Sequence, residues 1–381
     1  MSCQSLAKNE YEFMGTILEP GMIPDDAFYL ETPNLKEIVG RPFPANLKCL
    51  NMGRVFNQPL EPGVLPKNLK ELVLGDNFNQ PLRPGVFPKK MDSLNMGRMF
   101  NRPLEPGVLP EEVRSLRMGC MFNQPLRRGV LPKKMASINM GNRFNHPLEP
   151  GVFPDNLVEL SLGAFNHPLE LGVLPESLIC VYMGHKFNQP LELGVLPKNL
   201  KDLTLGGSFN QPLKVGFLPK KIEYLRLGGA FNHPLEPGVL PEKLEEIDLG
   251  DRFNHPLQPG VLPDNLDRLK LPQDFNHPLV PGSLPRGLKI LHFGVHYTQP
   301  IEPGVLPSGL ENLYLKGCFN HPIKKGVLPE GLKCIVLSAN FQHSIRQGVL
   351  PSSLEILRFH RSYMQSIFSD ALPAGLKISF Y

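Results

Sequence analysis

The sequence predicts a repeat solenoid that is mainly β. The expected form is a right-handed coil with one parallel sheet of about 15–17 short strands and an extended, helix-poor return side. Three observations predict it. An aromatic residue recurs at Phe56, Phe78, Phe100, Phe122, Phe144, Phe165, Phe187, Phe209, Phe231, Phe253, Phe275, Tyr297, Phe319, Phe341 and Tyr363, always in steps of 22 except the 21 from Phe144 to Phe165. The proline of a Leu-Pro or Phe-Pro pair runs in the same period from Pro44 to Pro373. Proline totals 42 and glycine 35 of 381 residues, too evenly spread for long helices.

Each unit begins with LxxLxLG, as in Leu69–Gly75, where Leu72 and Leu74 are apolar with other residues between. Period two marks a strand with one buried face, of about four to six residues before the glycine. Strands that recur this closely and run the same way must stack as a parallel ladder. The rest of the unit carries Pro81, Pro84 and Pro88. Proline removes backbone donors, so this side is extended or polyproline-like, with glycine at its turns. Three apolar columns point inward: the strand leucines, the aromatics, and the Leu82- and Val86-type residues. Only stacked neighbours can bury them. The 21-residue step loses its residue between Gly163 and Phe165, in a turn.

An asparagine follows the aromatic at 57, 79, 101, 123, 145, 166, 188, 210, 232, 254, 276 and 320. With two donors and two acceptor lone pairs, it reads as a buried ladder satisfying turn amides. Phe209, Asn210, Phe231, Asn232, Phe253 and Asn254 represent this structural ladder. Histidine fills the next position at 146, 167, 233, 255, 277, 321 and 343, but the same column accepts Gln58, Gln80, Arg102 and Gln124. That mixture reads as a polar hydrogen-bonding row, and no metal site is expected. No nucleophile, phosphate loop or carboxylate pair stands apart from the repeat, so no catalytic residue and no cofactor are expected.

Net charge is +4 from 40 basic and 36 acidic residues, a balance that argues against a nucleic-acid binder. No apolar run is long enough to span a membrane. The six cysteines form no CxxC pair and read as free thiols of a reducing compartment, which points to the cytoplasm.

Information beyond the repeat should lie on the outward third and fifth strand positions. These are small and polar in the first half and gain Tyr, Arg, His and Ile from about residue 180 onward. Candidate partner-binding residues are Tyr182, Tyr224, Arg226, Lys270, His292 and Tyr314. The ends differ from the middle. Residues 1–43 read as a cap of degenerate repeats, with ILEPGMIP at 17–24 and NLKEIVG at 34–40 standing for a return path and a strand; 44–373 are the repeats, and 374–381 a terminal edge strand. The last unit is aberrant, with Tyr363-Met364-Gln365-Ser366 and Ser369-Asp370-Ala371 in place of the motifs. Counting in repeat register turns Ile378 and Phe380 outward and Ser379 inward. That makes Ile378, Phe380 and Tyr381 candidates for self-association in a two-fold dimer, against a monomer whose Tyr381 covers the last core layer.

The motif Phe-Asn-x-Pro-Leu, as in FNQPL at 56–60 and FNHPL at 231–235, resembles the FNIP repeat over about residues 44–373. The LxxLxL half is similar to a leucine-rich repeat. The resemblance implies a leucine-rich-repeat-like solenoid used in protein–protein contacts. Such repeats occur in social amoebae and giant DNA viruses of protists, which would place a viral member in host cytoplasm. Some relatives carry an F-box before the repeats, implying a ubiquitin-ligase role; residues 1–43 leave no room for one. The expected function is a non-catalytic interaction scaffold with a protein partner that the sequence does not name. An adaptor or competitor in a ubiquitin-ligase system without its own F-box is the alternative, and a self-associating structural protein the second.

Overall fold

The computed structural model describes residues 3–365 and 372–381. The departures at Ser366 and at Ser369–Ala371 therefore lie outside the described residues. Two compact units, Met1–Gln189 and Pro190–Tyr381, make up the chain. Among the described residues there is no helix, as the proline spacing requires.

The first unit opens with an antiparallel hairpin, β1 (Cys3–Ala7) and β2 (Glu10–Phe13), turned through Asn9 at a φ of 62°. β2 then pairs in parallel with β4 (Tyr29–Glu31), while β3 (Ile17–Leu18) and β5 (Glu37–Ile38) form a small separate parallel pair. β4 pairs with β6 (Cys49–Asn51), Leu30 opposite Leu50. The ladder continues through β7 (Glu71–Val73), β8 (Ser93–Asn95), β9 (Ser115–Arg117), β10 (Ser137–Asn139), β11 (Glu159–Ser161) and β12 (Cys180–Tyr182).

NLKEIVG thus supplies no strand to the main sheet, although its pattern suggested one. Its Glu37–Ile38 segment lies level with the Phe-Asn-x-Pro turn of the next unit, where Ile38 exchanges backbone hydrogen bonds with the Gln58 amide. The main-sheet strand is Tyr29–Glu31, which also alternates polar and apolar. Thr32 and Pro33 follow it at the Leu-Gly position, and the α-carbon of Gly53 packs against that peptide too closely for any side chain.

The second unit holds β13 (Asp202–Thr204), β14 (Tyr224–Arg226), β15 (Glu246–Asp248), β16 (Arg268–Lys270), β17 (Ile290–His292), β18 (Asn312–Tyr314), β19 (Cys334–Val336), β20 (Ile356–Phe359) and β21 (Lys377–Phe380), each parallel to the next. Rung strands are mostly three residues long, shorter than the pattern suggested, because glycine or a turn residue follows the second inward side chain at once. The register follows the repeat: Glu71 faces Ser93 and Ser93 faces Ser115. Across the 21-residue step it holds too, with Glu159 opposite Cys180, because the missing residue comes from the turn.

The core is the three columns. Leu72, Leu74, Phe78 and Leu82 are all buried. In the first unit Phe56, Phe78, Phe100, Phe122 and Phe144 stack with centroids 6.2–6.3 Å apart, within the range of offset parallel rings. Tyr297 takes a place in the second unit's column, where burial pushes its hydroxyl pKa up to about 12. On the return side Val86 N–H donates to the Arg83 carbonyl across Pro84-Gly85, and Gly85 has a φ of 88°. Proline at the second place and left-handed glycine at the third make a type II turn. The turn survives where the proline becomes Leu171, Leu193 or Val215, since the glycines after them keep positive φ.

The last rung corrects the sequence reading. β21 pairs with β20 one residue out of repeat register: Ile378 lies opposite inward Leu357, Ser379 opposite outward Arg358, and Phe380 opposite inward Phe359. A one-residue slip exchanges the faces of a strand. Here it turns Ile378 and Phe380 to the core side and Ser379 to the outside, the reverse of the expected arrangement. The Phe380 ring stacks on Phe359 at 5.9 Å, and the Tyr381 hydroxyl donates to the Leu337 carbonyl at 2.8 Å. Alternation alone fits both registers; apolar contact with the Phe359 layer favours the slipped one.

Candidate interaction face

The outward side chains of the rungs form one face in each unit. In the first, β9 to β12 present Ser115, Arg117, Ser137, Asn139, Glu159 and Ser161, with Tyr182 at the end, around a shallow depression of about 470 Å³. Several outward asparagines already have a local task that the sequence reading missed. The Oδ1 atoms of Asn51, Asn95 and Asn139 accept the N–H of the glycine two residues on, at 2.9–3.1 Å, and Asp248 does the same for Gly250 in the second unit. The signal was present as Asn-x-Gly, a local side-chain turn.

In the second unit the face divides. On β14, Arg226 reaches back to Asp202 at 3.7 Å and to the Thr204 hydroxyl at 3.5 Å, and the Tyr224 hydroxyl reaches Glu245 at 3.3 Å. Burial raises the Asp202 pKa and Arg226 opposes that rise. The Glu245 carboxylate first, then burial, raises the Tyr224 pKa. These two candidates therefore serve neighbouring rungs.

From β16 to β20 the character changes. The His292 and Tyr314 rings lie parallel, centroids 4.0 Å apart, as their places on paired rungs dictate. Lys270 stands on the rung beside His292, and Lys316 Nζ lies 6.0 Å from the Tyr314 ring centre. Ile290, Cys334 and Ile356 are half-buried, and Val336, expected outward with its row, is buried at 7% exposure. The structure thus brings Lys270, His292 and Tyr314 together, leaves Tyr224 and Arg226 engaged with neighbouring rungs, and places Tyr182 in the first unit.

Burial holds the His292 pKa below the ordinary histidine value, and Lys316, Arg268 and Lys270 push the same way. The unfolded chain therefore takes up the proton first as pH falls. Stability should drop below the free-histidine pKa of about 6.5, until folded His292 is itself protonated. Urea unfolding from about pH 7 to 5 should show a shallower loss for His292→Gln than for the parent. Equal slopes would mean that this ring titrates freely.

The motif columns decide the family. A family model, described as FNIP Repeat, matches residues 16–72, 56–99, 100–143, 144–186, 187–230, 231–274, 275–318, 319–362 and 341–378. The chain belongs to the FNIP repeat family. It is also similar to CroV588, described as a novel circular LRR protein: 28% identity over 100% of this chain and 67% of that one, TM-score 0.83. YopM from Yersinia enterocolitica WA-314 shares 19% identity over 98% of this chain and 91% of that one, at a TM-score of 0.49. Internalin InlF from Listeria monocytogenes strain 4b F2365 shares 15% over 76% and 80%, at 0.45. No functionally curated protein matches the chain.

The FNIP motif has a specific hydrogen-bond logic here. In the first unit the Oδ1 of an asparagine accepts the main-chain N–H of the residue one repeat on: Asn57 from Asn79, Asn79 from Asn101 and Asn101 from Asn123 at 2.9–3.0 Å. In the second unit Asn210, Asn232 and Asn254 do the same for Asn232, Asn254 and Asn276 at 2.9–3.1 Å. These side chains are exposed or half-buried, not buried as expected, because the motif lies at the turn edge of each unit. The histidines bond the preceding unit: His233, His255 and His277 place Nε2 3.0–3.1 Å from the carbonyls of Asn210, Asn232 and Asn254. A carbonyl only accepts, so Nε2 carries the proton. Gln80 Nε2 and Arg102 Nε make the equivalent bond to Asn57 and Asn79, which explains why one column accepts three residue types.

An acceptor role makes a sharp prediction. Asn254→Asp keeps the acceptor for the Asn276 amide and should shift stability by under ~0.5 kcal/mol, whereas Asn254→Leu should cost about 1 kcal/mol. Urea midpoints would decide; an Asp variant as weak as the Leu variant would assign the role to Nδ2.

Proposed function

We propose that this FNIP repeat chain is a non-catalytic scaffold that holds a protein partner on the outer sheet face of its second unit and acts in the cytoplasm. Leucine-rich-repeat folds generally bind proteins. The observation that carries the reading is the stacked His292–Tyr314 pair, set among half-buried Ile290, Cys334 and Ile356. A short strand ladder needs none of these outside: Ser, Asn and Glu fill the same positions on β8, β10 and β11. Aromatic side chains held by packing, with a polar rim, are the usual anchors of protein interfaces. Cys49, Cys120, Cys318 and Cys334 are free, in keeping with a reducing compartment.

A photocrosslinking residue at position 314, compared with one at the first-unit position Asn95, tests the reading in cytosolic extract. Specific protein adducts from position 314 alone are expected, and lost when His292 is changed to Ser. Equal labelling from both sites would remove the second-unit face from consideration.

Self-association is the second reading. The outer edge of β21 has no strand partner among the described residues, and Phe380 and Tyr381 remain 51% and 46% exposed although Phe380 points to the core side. A second copy of the chain could cover that layer, with Ile378 beneath. Light scattering reads it directly: the chain alone is 42.6 kDa, and twice that mass, reduced to one chain by Phe380→Lys, is the supporting result.

A further inference from the structure

The charges around the His292–Tyr314 pair define what kind of protein segment this face suits. Elsewhere on the chain, six lysines find a carboxylate on the neighbouring rung. Lys70 pairs with Asp92, Lys134 with Glu112, Lys201 with Glu223, Lys289 with Asp267, Lys324 with Glu302 and Lys333 with Glu311, at 2.8–3.2 Å. The row just before the strands of the second unit thereby neutralises much of its own charge, through Lys201–Glu223, Lys289–Asp267 and Lys333–Glu311. The outer face of β16 to β20 does not. Its ten outward residues run Arg268, Ile290, Asn312, Cys334 and Ile356 in one row and Lys270, His292, Tyr314, Val336 and Arg358 in the other. They include three cations and no carboxylate, and Lys316 adds a fourth cation beside Tyr314.

Among the described residues none of these four cations lies within ion-pair distance of an acid. The nearest face carboxylates are Glu246 and Asp248 on β15, register neighbours of Arg268 and Lys270, and Asp248 is engaged with the Gly250 amide. Like charges collected on one face are unfavourable without a counter-charge. Between the cations lie apolar side chains and a ring pair whose facing surfaces already cover each other.

From this we propose, resting on the interaction reading above, that the face of β16–β20 takes an extended acidic polypeptide segment. Its carboxylates meet Arg268, Lys270, Lys316 and Arg358, and an apolar side chain packs between them against half-buried Ile290. Lys270 and Arg358 stand four rungs apart, about 19 Å at strand spacing, a span that about six extended residues cover. A nucleic acid fits less well. Its phosphates want an unbroken basic track and its bases want open aromatic faces, and this face offers an apolar centre with cations at its margins.

A labelled glutamate–tyrosine copolymer tests the proposal by fluorescence polarisation against the full chain, with glutamine–tyrosine copolymer, lysine–tyrosine copolymer and oligo-deoxythymidine as comparisons. The acidic copolymer should bind best and lose affinity at least tenfold in Lys270→Ser/Arg358→Ser and in Tyr314→Ser. Both cations are exposed, so the charge variant should fold, which its melting curve confirms independently. The control Lys67→Ser/Lys89→Ser removes the same net charge elsewhere and should leave binding unchanged. An equal loss in that control would reduce the effect to net charge and overturn the proposal. Tighter binding of oligo-deoxythymidine would overturn it in favour of nucleic acid. Equal binding of the neutral copolymer, with the Tyr314→Ser loss retained, would overturn the acidic preference and leave the interaction face standing. Absence of any copolymer binding overturns the acidic segment, while the crosslinking result at position 314 separately decides the face.

Discussion

Phe231→Ala should be among the most destabilising single truncations in the second unit, costing about 3–5 kcal/mol. Phe231 is fully buried, with Phe209 and Phe253 stacked above and below at 6.2 and 6.1 Å. Removing the ring takes away contacts with two rungs at once, and the backbone cannot collapse into the gap. Its place is fixed by the ladder on one side and by the Asn232 amide bond to Asn210 on the other. Solenoid rungs touch only their neighbours, so the loss falls on two rung interfaces. Denaturant unfolding is then expected to split into two transitions. His233→Gln, two residues away on the surface, should stay within ~0.5 kcal/mol of the parent, because Gln makes the same bond in other units. Equal destabilisation by the two changes would contradict the inward place of the aromatic column.

The parts of this fold that the sequence made legible are those that the repeat averages over many copies. Period two within LxxLxL separated Leu72 and Leu74 from Glu71 and Val73, and the 22-residue spacing put His292 beside Tyr314 and Phe231 beside Phe253. What could not be read depends on a single rung. At both ends alternation allowed two pairings. Tyr29–Glu31 and NLKEIVG each alternate, and Lys377–Phe380 satisfies either register; packing against Thr32-Pro33 and against Phe359 made the choice. Partner choice within the face was also hidden. Arg226 and Tyr224 looked available for a partner, but Asp202 and Glu245 stand one rung away on opposite sides and engage them. The asparagines were legible as hydrogen-bonding residues, but not that their Oδ1 rather than their NH₂ would meet the next unit.

The glycines after the strands read in sequence only as turn formers, and their spatial reason predicts the second large effect. Gly250 has a φ of 82°, which alone costs a residue with a side chain roughly 1–2 kcal/mol. Its α-hydrogen faces the carbonyl oxygen of Gly228 on the rung before, and a β-carbon there would lie far inside van der Waals contact with that oxygen. Gly228 stands in the same relation to the Gly206 carbonyl, and in the first unit Gly141 to Gly119 and Gly97 to Gly75. The oxygen belongs to a backbone held by the strand ladder, so it cannot swing aside as a side-chain tip would. Gly250→Ala should therefore cost more than ~4 kcal/mol, by adding forced rung separation to backbone strain. Gly304 provides the comparison. Its φ is also 82°, but nothing lies within 4 Å of the corresponding β-carbon. Gly304→Ala isolates the strain and should cost about 1–2 kcal/mol. Urea midpoints of the two variants separate the causes. If Gly250→Ala unfolds alongside Gly304→Ala, conformational freedom is the whole reason for the column. A clearly weaker Gly250 variant assigns the difference to the approach of one rung's glycine to the preceding rung's carbonyl.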